Sequence, residues 1–372
     1  MNARMPAEVF PPGEFLREEL EAREWSQQEL ADILDRPPRL ISEIIAGKRA
    51  ITPETAKGFA DAFGTSPDYW MNLESQYQLS KVKLPNDNVA RKARLYDKFP
   101  VREMLRRGWI QVSENIDVLE QRFCAFFYIP DMSAEPELCH HAKKTHATLD
   151  ATPLQMAWLF RVKAMASRQI VPAYSQAKLV AAIDKLKTLI LSPEEVRHAP
   201  RVLAEAGVRL VLVEPMAGSK MDGACFWLDD DKPVIGMTLR FDRIDNFWFV
   251  LRHEIEHVLR EDGKANNQPV IDTDLGEHKA ELPECERLAN AAGAEFCVSS
   301  PELENFIARV QPYFSEEKVL RFAQRINVHP GLVVGQLQRK LGRHDFLRKY
   351  QVKMRALVLP SADADGWGSF SE

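Results

Sequence analysis

Cysteine is scarce in this chain, and long apolar runs are absent from it. The 372 residues contain five cysteines at wide spacing, so no disulfide framework is indicated and a reducing compartment is expected. No apolar run reaches about eighteen residues, the length that a membrane-spanning helix needs, so no membrane partner is expected. The first residues lack the apolar core of a secretory signal, and we therefore expect a cytoplasmic protein. The cysteines are Cys124, Cys139, Cys225, Cys285 and Cys297.

Positive charge is also limited. The net charge of −5 argues against a protein that coats nucleic acid indiscriminately. Residues 1–80 hold eight Lys/Arg and fourteen Asp/Glu, which gives a net charge of −6. Residues 81–110 hold nine Lys/Arg and three Asp/Glu, which gives a net charge of +6. Any attraction to phosphate must therefore come from a few placed side chains and from residues 81–110.

The length and the residue pattern predict several domains of the α+β class, mainly helical with a small β-sheet. We assign residues 1–80 to an all-helical domain, 81–200 to a helical middle region, 201–359 to a second domain and 360–372 to a flexible tail. Strands are predicted at 208–213, 224–228 and 232–238. Aromatic residues of the middle region are expected to belong to a core. They are Trp109, Phe123, Phe126, Phe127 and Tyr128.

The first eighty residues carry clear signals for short helices. Ser26 and Glu29 have the spacing of a capping box, and a second short helix from Pro38 to Ala46 is predicted to end at Gly47. Two short helices joined by a tight turn are typical of the helix-turn-helix motif, whose second helix enters the major groove of DNA. The same spacing also fits a helical packing or dimerisation module.

Exposed polar residues on and after the second short helix are the candidates for DNA contacts. An arginine can contact a guanine edge with two hydrogen bonds, and basic residues just beyond the helix are suited to phosphates. The candidates are Arg39, Ser42, Glu43, Lys48 and Arg49.

The stretch from Ser42 to Leu73 resembles HigA-type antitoxins, which belong to the wider Xre/Cro-like helix-turn-helix repressors. It includes Ala46-Gly47-Lys48-Arg49-Ala50-Ile51-Thr52-Pro53 and Phe63-Gly64-Thr65-Ser66-Pro67. The resemblance covers residues 8–80. It implies a homodimeric repressor that binds palindromic operator DNA.

Residues 245–259 have the period of a buried helix and contain His253-Glu254-Ile255-Glu256-His257. Residues four apart share a helix face, so both histidines can direct a ring nitrogen at one cation. Glu254 is rotated by about 100° from His253, close enough to reach a metal-bound water without binding the metal itself. Two neutral imidazoles suit Zn²⁺. The alternative is a pair of histidines held by hydrogen bonds on a helix flank.

A hydrolytic zinc site with two histidines needs a third protein ligand, and a carboxylate is usual. We do not predict a metal role for Cys139-His140-His141 and His146, because adjacent residues rarely converge on one ion. The candidates for the third ligand are Glu277, His278, Glu281, Glu284 and Glu286.

The residues from Arg243 to Glu254, together with Glu286-x-x-Ala289-Asn290, resemble the ImmA/IrrE metallopeptidase family over residues 205–300. The resemblance implies a gluzincin-like core and a zinc endopeptidase in which Glu254 is the general base. Glu284 is the reserve choice for the third ligand. The zinc ligands implied by the resemblance are His253, His257 and Glu286.

The two resemblances together predict a regulator that binds operator DNA and cleaves a protein substrate, such as a repressor, an antitoxin or a toxin partner. A second hypothesis is an antitoxin-like repressor whose zinc site is structural or sensory and cleaves nothing. A third is a peptidase whose acidic residues 1–80 recognise a protein partner.

Overall fold

The structure is a computed structural model that describes residues 9–82, 87–138, 151–265, 268–273 and 282–367. It divides into two compact units, Met1–Ala90 and Arg91–Glu372. From Arg91 onward, the helices of the predicted middle region share a hydrophobic core with the strands of the second unit. The sequence Cys139-His140-His141 and His146 lie outside the described residues.

The first unit is a bundle of short helices within residues 9–82. The helices are α1 Pro12–Ala22, α2 Gln27–Ile33, α3 Pro38–Ile45, α4 Pro53–Phe63 and α5 Pro67–Lys81.

Local signals fix the ends of α2 and α3. The Ser26 hydroxyl accepts a hydrogen bond from the backbone N–H of Glu29, and the Glu29 carboxylate accepts one from the N–H of Ser26, which confirms the predicted capping box. Helix α3 begins at Pro38, and Gly47 follows its last turn with φ of +66°. A left-handed glycine at this position ends a helix at little steric cost, as predicted.

The core of the first unit fixes the position of α3. Ile41 and Ile44 of α3 are buried among residues that include Phe59 and Trp70, whose rings meet edge to face at 5.1 Å. A Cβ atom on Gly13 of α1 would lie 2.4 Å from the carbonyl oxygen of Ile44. Only glycine therefore lets α1 approach α3 this closely.

The second unit is mainly helical and surrounds a small sheet. None of the helices in the described residues is long and apolar enough to cross a bilayer. Short 3₁₀-helices lie at Pro193–His198, Arg348–Tyr350 and Leu359–Ser361. The α-helices are α6 Asn88–Lys98, α7 Val101–Arg106, α8 Ile116–Phe127, α9 Pro153–Ala166, α10 Gln176–Leu189, α11 Ala199–Glu205, α12 Ile244–Leu259, α13 Glu284–Cys297, α14 Ser300–Val310, α15 Glu316–Arg325, α16 Pro330–Leu341 and α17 Arg355–Val358.

The sheet has the order β4-β2-β3-β1-β5. Strand β1 runs parallel to β3 and β5, and β2 runs antiparallel to β3 and β4. The three predicted strands correspond to β1, β2 and β3, whereas β4 and β5 were not predicted. The strands are β1 Arg209–Val213, β2 Met221–Trp227, β3 Pro233–Met237, β4 Val270–Thr273 and β5 Asp363–Asp365.

Both faces of the sheet are covered by helices. Val211 and Phe226 belong to a core shared with α6 to α9, and Leu212 and Cys225 belong to a core shared with α10 to α16. Successive side chains of a strand point to opposite faces, which explains this alternation. Helix α12 therefore packs on one face of the sheet with most of its side chains buried.

The predicted aromatic core of the middle region is confirmed for most of its members. Phe123 and Phe127 are fully buried, and Trp109 is nearly so. The prediction is wrong for Tyr128, which is 53% exposed and follows α8 with a left-handed φ of +53°.

The predicted flexible tail at 360–372 is wrong for Asp363–Asp365. These residues form β5 and pair with β1. The carboxylate of Asp365 accepts hydrogen bonds from Trp109 Nε1 and Arg161 Nε, both at 2.6 Å. Long-range polar contacts thus order a segment whose local sequence is polar.

Candidate metal centre and nucleic-acid interface

Helix α12 carries the two histidines of the predicted zinc site on one buried face. His253 and His257 have no exposed surface. Their Nε2 atoms lie 3.0 Å apart, as expected for residues separated by one helical turn that point to the same place.

Two carboxylates from other elements converge on the histidines. Asp272 of β4 places Oδ2 at 3.2 Å from His253 Nε2 and 3.7 Å from His257 Nε2. Glu286, in the first turn of α13, approaches the same nitrogens at 3.4 and 3.6 Å. One ligand atom from each of the four residues lies within 4.8 Å of the other three. We call these four residues the HHDE cluster.

The candidates for the third ligand differ in their distance from the two histidines. The structure brings Glu286 to the histidines, while Glu284 is exposed at the start of α13. Glu277, His278 and Glu281 lie outside the described residues. Sequence reasoning missed Asp272. The β-branched residues Val270, Ile271 and Thr273 are a weak local signal for β4.

The ring of His257 is held by an additional carboxylate. Its Nδ1 lies 2.9 Å from Oδ2 of Asp262. A proton on Nδ1 directed at Asp262 leaves the lone pair of Nε2 facing the HHDE cluster. Carboxylate–histidine pairs of this kind commonly orient metal ligands.

The carboxylate of Glu254 is buried beside the HHDE cluster. Its two oxygens meet no hydrogen-bond donor among the described residues. Burial raises the pKa of Glu254 well above its usual range, and the negative charges of Asp272 and Glu286 raise it further. Gly223 of β2 borders this carboxylate so closely that a Cβ atom there would lie 1.9 Å from Oε1.

The donor set of the HHDE cluster fits Zn²⁺. Imidazole nitrogens and carboxylate oxygens are established zinc ligands. With bonds of 2.0–2.1 Å, the donors of a tetrahedral site would be separated by about 3.3 Å. The distances from Nε2 of His253 and of His257 to the other donor atoms of the cluster range from 3.0 to 3.7 Å. Four electron-rich atoms this close together favour a bound cation.

Zinc affinity is expected to rise with pH up to about pH 9. Burial alone would lower the pKa of His253, but hydrogen bonds and the negative charges of Asp272 and Glu286 raise it to about 9. Below that pH the ring would hold a proton in the cation-free protein, and a binding zinc ion would have to displace it. Loss of this one proton makes the affinity rise about tenfold per pH unit. Calorimetry at pH 7 in buffers of different ionisation enthalpy should detect at least one proton released per zinc. Release of none would contradict this prediction.

The predicted DNA-contacting residues lie on and just after α3. Arg39 has an 86% exposed side chain, with Nε 2.7 Å from Oε1 of Glu43. Arg49 Nη1 lies 3.3 Å from Oε2 of the same glutamate. Ser42 and Lys48 are exposed. Glu43 thus connects the two arginines on this surface.

The basic residues after position 81 are less available than their number suggests. Arg91 pairs with Asp117 and Glu120. Arg107 is 4% exposed and donates to backbone carbonyl oxygens of residues 214 and 215. These basic side chains of residues 81–110 are therefore already paired with groups of the second unit.

Comparison with known proteins identifies relatives of the first unit. Residues 16–70 match a family model described as Helix-turn-helix. The uncharacterized HTH-type transcriptional regulator YddM of Escherichia coli (strain K12) is 33% identical over 84 residues, which are 23% of this chain and 88% of that protein. Virulence-associated protein I of Dichelobacter nodosus is 35% identical over 86 residues, 23% of this chain and 78% of that protein.

A solved structure of the antitoxin HigA from Pseudomonas aeruginosa with the higBA promoter is also similar. It is 34% identical, and the similarity covers 20% of this chain and 80% of that chain with a TM-score of 0.19. The HHDE cluster lies outside residues 16–70.

Proposed function

We propose that the first unit binds operator DNA as a homodimer, because this chain belongs, through residues 16–70, to the helix-turn-helix family of transcriptional regulators. Helix α3 stands at the position of the second helix of the motif, which enters the major groove. The exposed polar residues around α3 support this role.

The proposed DNA contacts divide into two kinds. Arg39 lies in the first turn of α3, where a side chain of this family reaches base edges, and it can donate two hydrogen bonds to guanine. Lys48 and Arg49 follow the helix and are suited to phosphates. Glu43 holds Arg39 and Arg49 in the free protein, so binding requires them to exchange this carboxylate for DNA.

The DNA-binding part is tested with a duplex that the full chain selects from a random-sequence pool. Arg39→Ala is expected to weaken binding to that duplex roughly 10- to 100-fold, as loss of a base contact does. Arg49→Ala should weaken binding to all duplexes alike. It should also reduce the salt dependence of the binding affinity by the release of about one counterion. Arg17→Ala, at an exposed position of α1, is the matched control. Affinity equal to wild type in both test variants would leave the first unit as a dimerisation module.

For the second unit we propose a zinc-dependent endopeptidase. The observation that carries this proposal is the convergence of the HHDE cluster beside the buried carboxylate of Glu254. The resemblance of residues 205–300 to the ImmA/IrrE family, and to its gluzincin-like core, supports the same function. The substrate would be a protein partner of the regulator.

His253, His257 and Glu286 would hold the zinc ion. When bound, zinc would lower the pKa of a coordinated water, polarise the scissile carbonyl and favour the ionised form of Glu254. Glu254 removes a proton from the attacking water and then transfers it to the leaving amine. The peptide C–N bond breaks, and water supplies the oxygen of the new carboxylate and the proton of the new amine. Asp262 keeps His257 in the required tautomer.

The peptidase part is tested on a mixture of denatured proteome-derived peptides, with new N-termini counted by mass spectrometry. The zinc-loaded full chain is expected to generate new N-termini. Removing zinc with a chelator should stop the reaction, and adding zinc back should restore it. Absence of zinc-dependent cleavage from the wild type and from every variant that frees a zinc position would contradict the endopeptidase.

A second candidate function is a repressor whose zinc site is structural or sensory. The observation that favours it is the burial of His253, Glu254 and His257, which have no exposed surface. Structural zinc sites are closed by protein ligands, whereas catalytic sites keep one position open. Stoichiometric zinc that affects DNA affinity without any peptide cleavage would support this candidate.

A further inference from the structure

Strand β4 holds Asp272 in the HHDE cluster. Asp272 is 2% exposed, and its carboxylate lies as close to His253 as that of Glu286 does, at 3.2 against 3.4 Å. Two histidines and two carboxylates provide four protein donors, which is the number that fills a tetrahedral zinc site. A zinc ion bound by all four would have no open position for the water that hydrolysis needs.

The same strand covers the edge of β2 next to Glu254. Asp272 lies opposite Gly223 in the antiparallel pairing of β4 with β2. Gly223 is also the residue against which the Glu254 carboxylate packs. The ladder is irregular between Met221 and Gly223, and such β-bulges are frequent beside active sites. Strand β4 thus pairs with β2 at the residue that borders the carboxylate of the proposed general base.

Extended peptides are commonly recognised by pairing with the free edge of a sheet. In the described residues, β4 takes that place on β2. A peptide paired with β2 at Gly223 would place its backbone beside Glu254 and the two histidines. Strand β4 and such a peptide would compete for the same edge.

We propose that β4 is an internal inhibitory strand and that Asp272 is a fourth zinc ligand which keeps the peptidase latent. This inference rests on the proposed zinc-dependent function. Cleavage requires β4 to leave β2, which removes Asp272 from zinc and opens both the fourth position and the sheet edge. The substrate class is an extended polypeptide segment that replaces β4 antiparallel to β2.

Zinc affinity and cleavage are measured on the same full-length variants. In a chelator competition, Asp272→Ala is expected to weaken zinc binding at least about tenfold, since even outer partners of metal ligands contribute that much. At saturating zinc, the same variant should cleave the denatured peptide mixture at least about tenfold faster than wild type, because the fourth position is open. Asp363→Ala, on β5 at the other edge of the sheet, is the matched control and should change neither quantity. Asp272→Asn, which keeps the shape of the side chain, repeats the test if Asp272→Ala folds poorly.

A cross-link tests the departure of β4 without changing any residue of the HHDE cluster. Ala224 and Ile271 are paired across β2 and β4. A disulfide between Ala224→Cys and Ile271→Cys should retain zinc and prevent cleavage, and reduction should restore the wild-type rate. The Ala224→Cys single variant controls for the added thiol.

The outcomes separate this inference from the function on which it rests. Unchanged zinc affinity in Asp272→Ala overturns Asp272 as a ligand and the inference with it. Cleavage that is no faster in Asp272→Ala, or that continues in the cross-linked protein, overturns latency while the peptidase stands. Weakened zinc binding with no cleavage in any variant overturns both the peptidase and its latency, and supports a structural or sensory zinc site.

Discussion

Glu254→Gln is expected to reduce peptide cleavage by about 100- to 10,000-fold, the range that loss of a positioned proton-transfer group produces. Glutamine has nearly the same shape as glutamate but cannot take a proton from water. The folded protein should tolerate the change, because burial already favours the neutral form of Glu254 through its raised pKa. Zinc content and DNA affinity are therefore expected to equal those of wild type.

The comparison is made at saturating zinc, with thermal unfolding recorded for each variant. Glu256→Gln is the matched control, since Glu256 lies two residues further along α12 and pairs with Arg252. Its loss is expected to leave the cleavage rate near that of wild type. Cleavage that persists in Glu254→Gln would contradict the assignment of Glu254 as the general base.

His253→Ala is expected to remove zinc from the protein. Wild type should bind near one equivalent, and the variant should retain almost none after dialysis against a weak chelator. Nε2 of His253 lies within 3.4 Å of donor atoms of all three other members of the HHDE cluster, so the variant removes the donor that adjoins every other one. The variant also leaves Asp272 and Glu286 without the imidazole between them.

Metal analysis by mass spectrometry is the measurement, and His198→Ala is the control because His198 is an exposed histidine outside the HHDE cluster. That control should keep its zinc. A wild-type protein that takes up no zinc even after reconstitution would contradict the metal site, and the second unit would then lack its proposed function.

The part of the site that follows local rules could be predicted from the sequence. The spacing of His253 and His257 depends only on the helical repeat, and Glu286 was implied by a motif at the start of a helix. The structure brings these three residues together, and their role as zinc ligands stays a prediction. Capping signals likewise placed α2 and α3, because a helix end is decided within a few residues.

The parts that were missed depend on long-range pairing. Strand β4 has four residues, and its position is decided by the ladder with β2. Asp272 reaches the histidines only through that ladder. Strand β5 has only three residues, Asp-Ala-Asp, all of low β-propensity, and its order depends on contacts with Trp109 and Arg161. Neither strand leaves a strong local pattern.

The contact between Trp109 and Asp365 joins residues that are 256 positions apart in the chain. At a synthesis rate of about 5–20 residues per second, the ribosome needs roughly 10–50 seconds to make the intervening residues. Trp109 lacks its partner for the whole interval, and Arg161 and the outer edge of β1 lack theirs from their own synthesis onward, while the first unit has all its residues and can fold. An exposed strand edge invites pairing with other chains, so chaperones have their main opportunity to act on this protein in that interval.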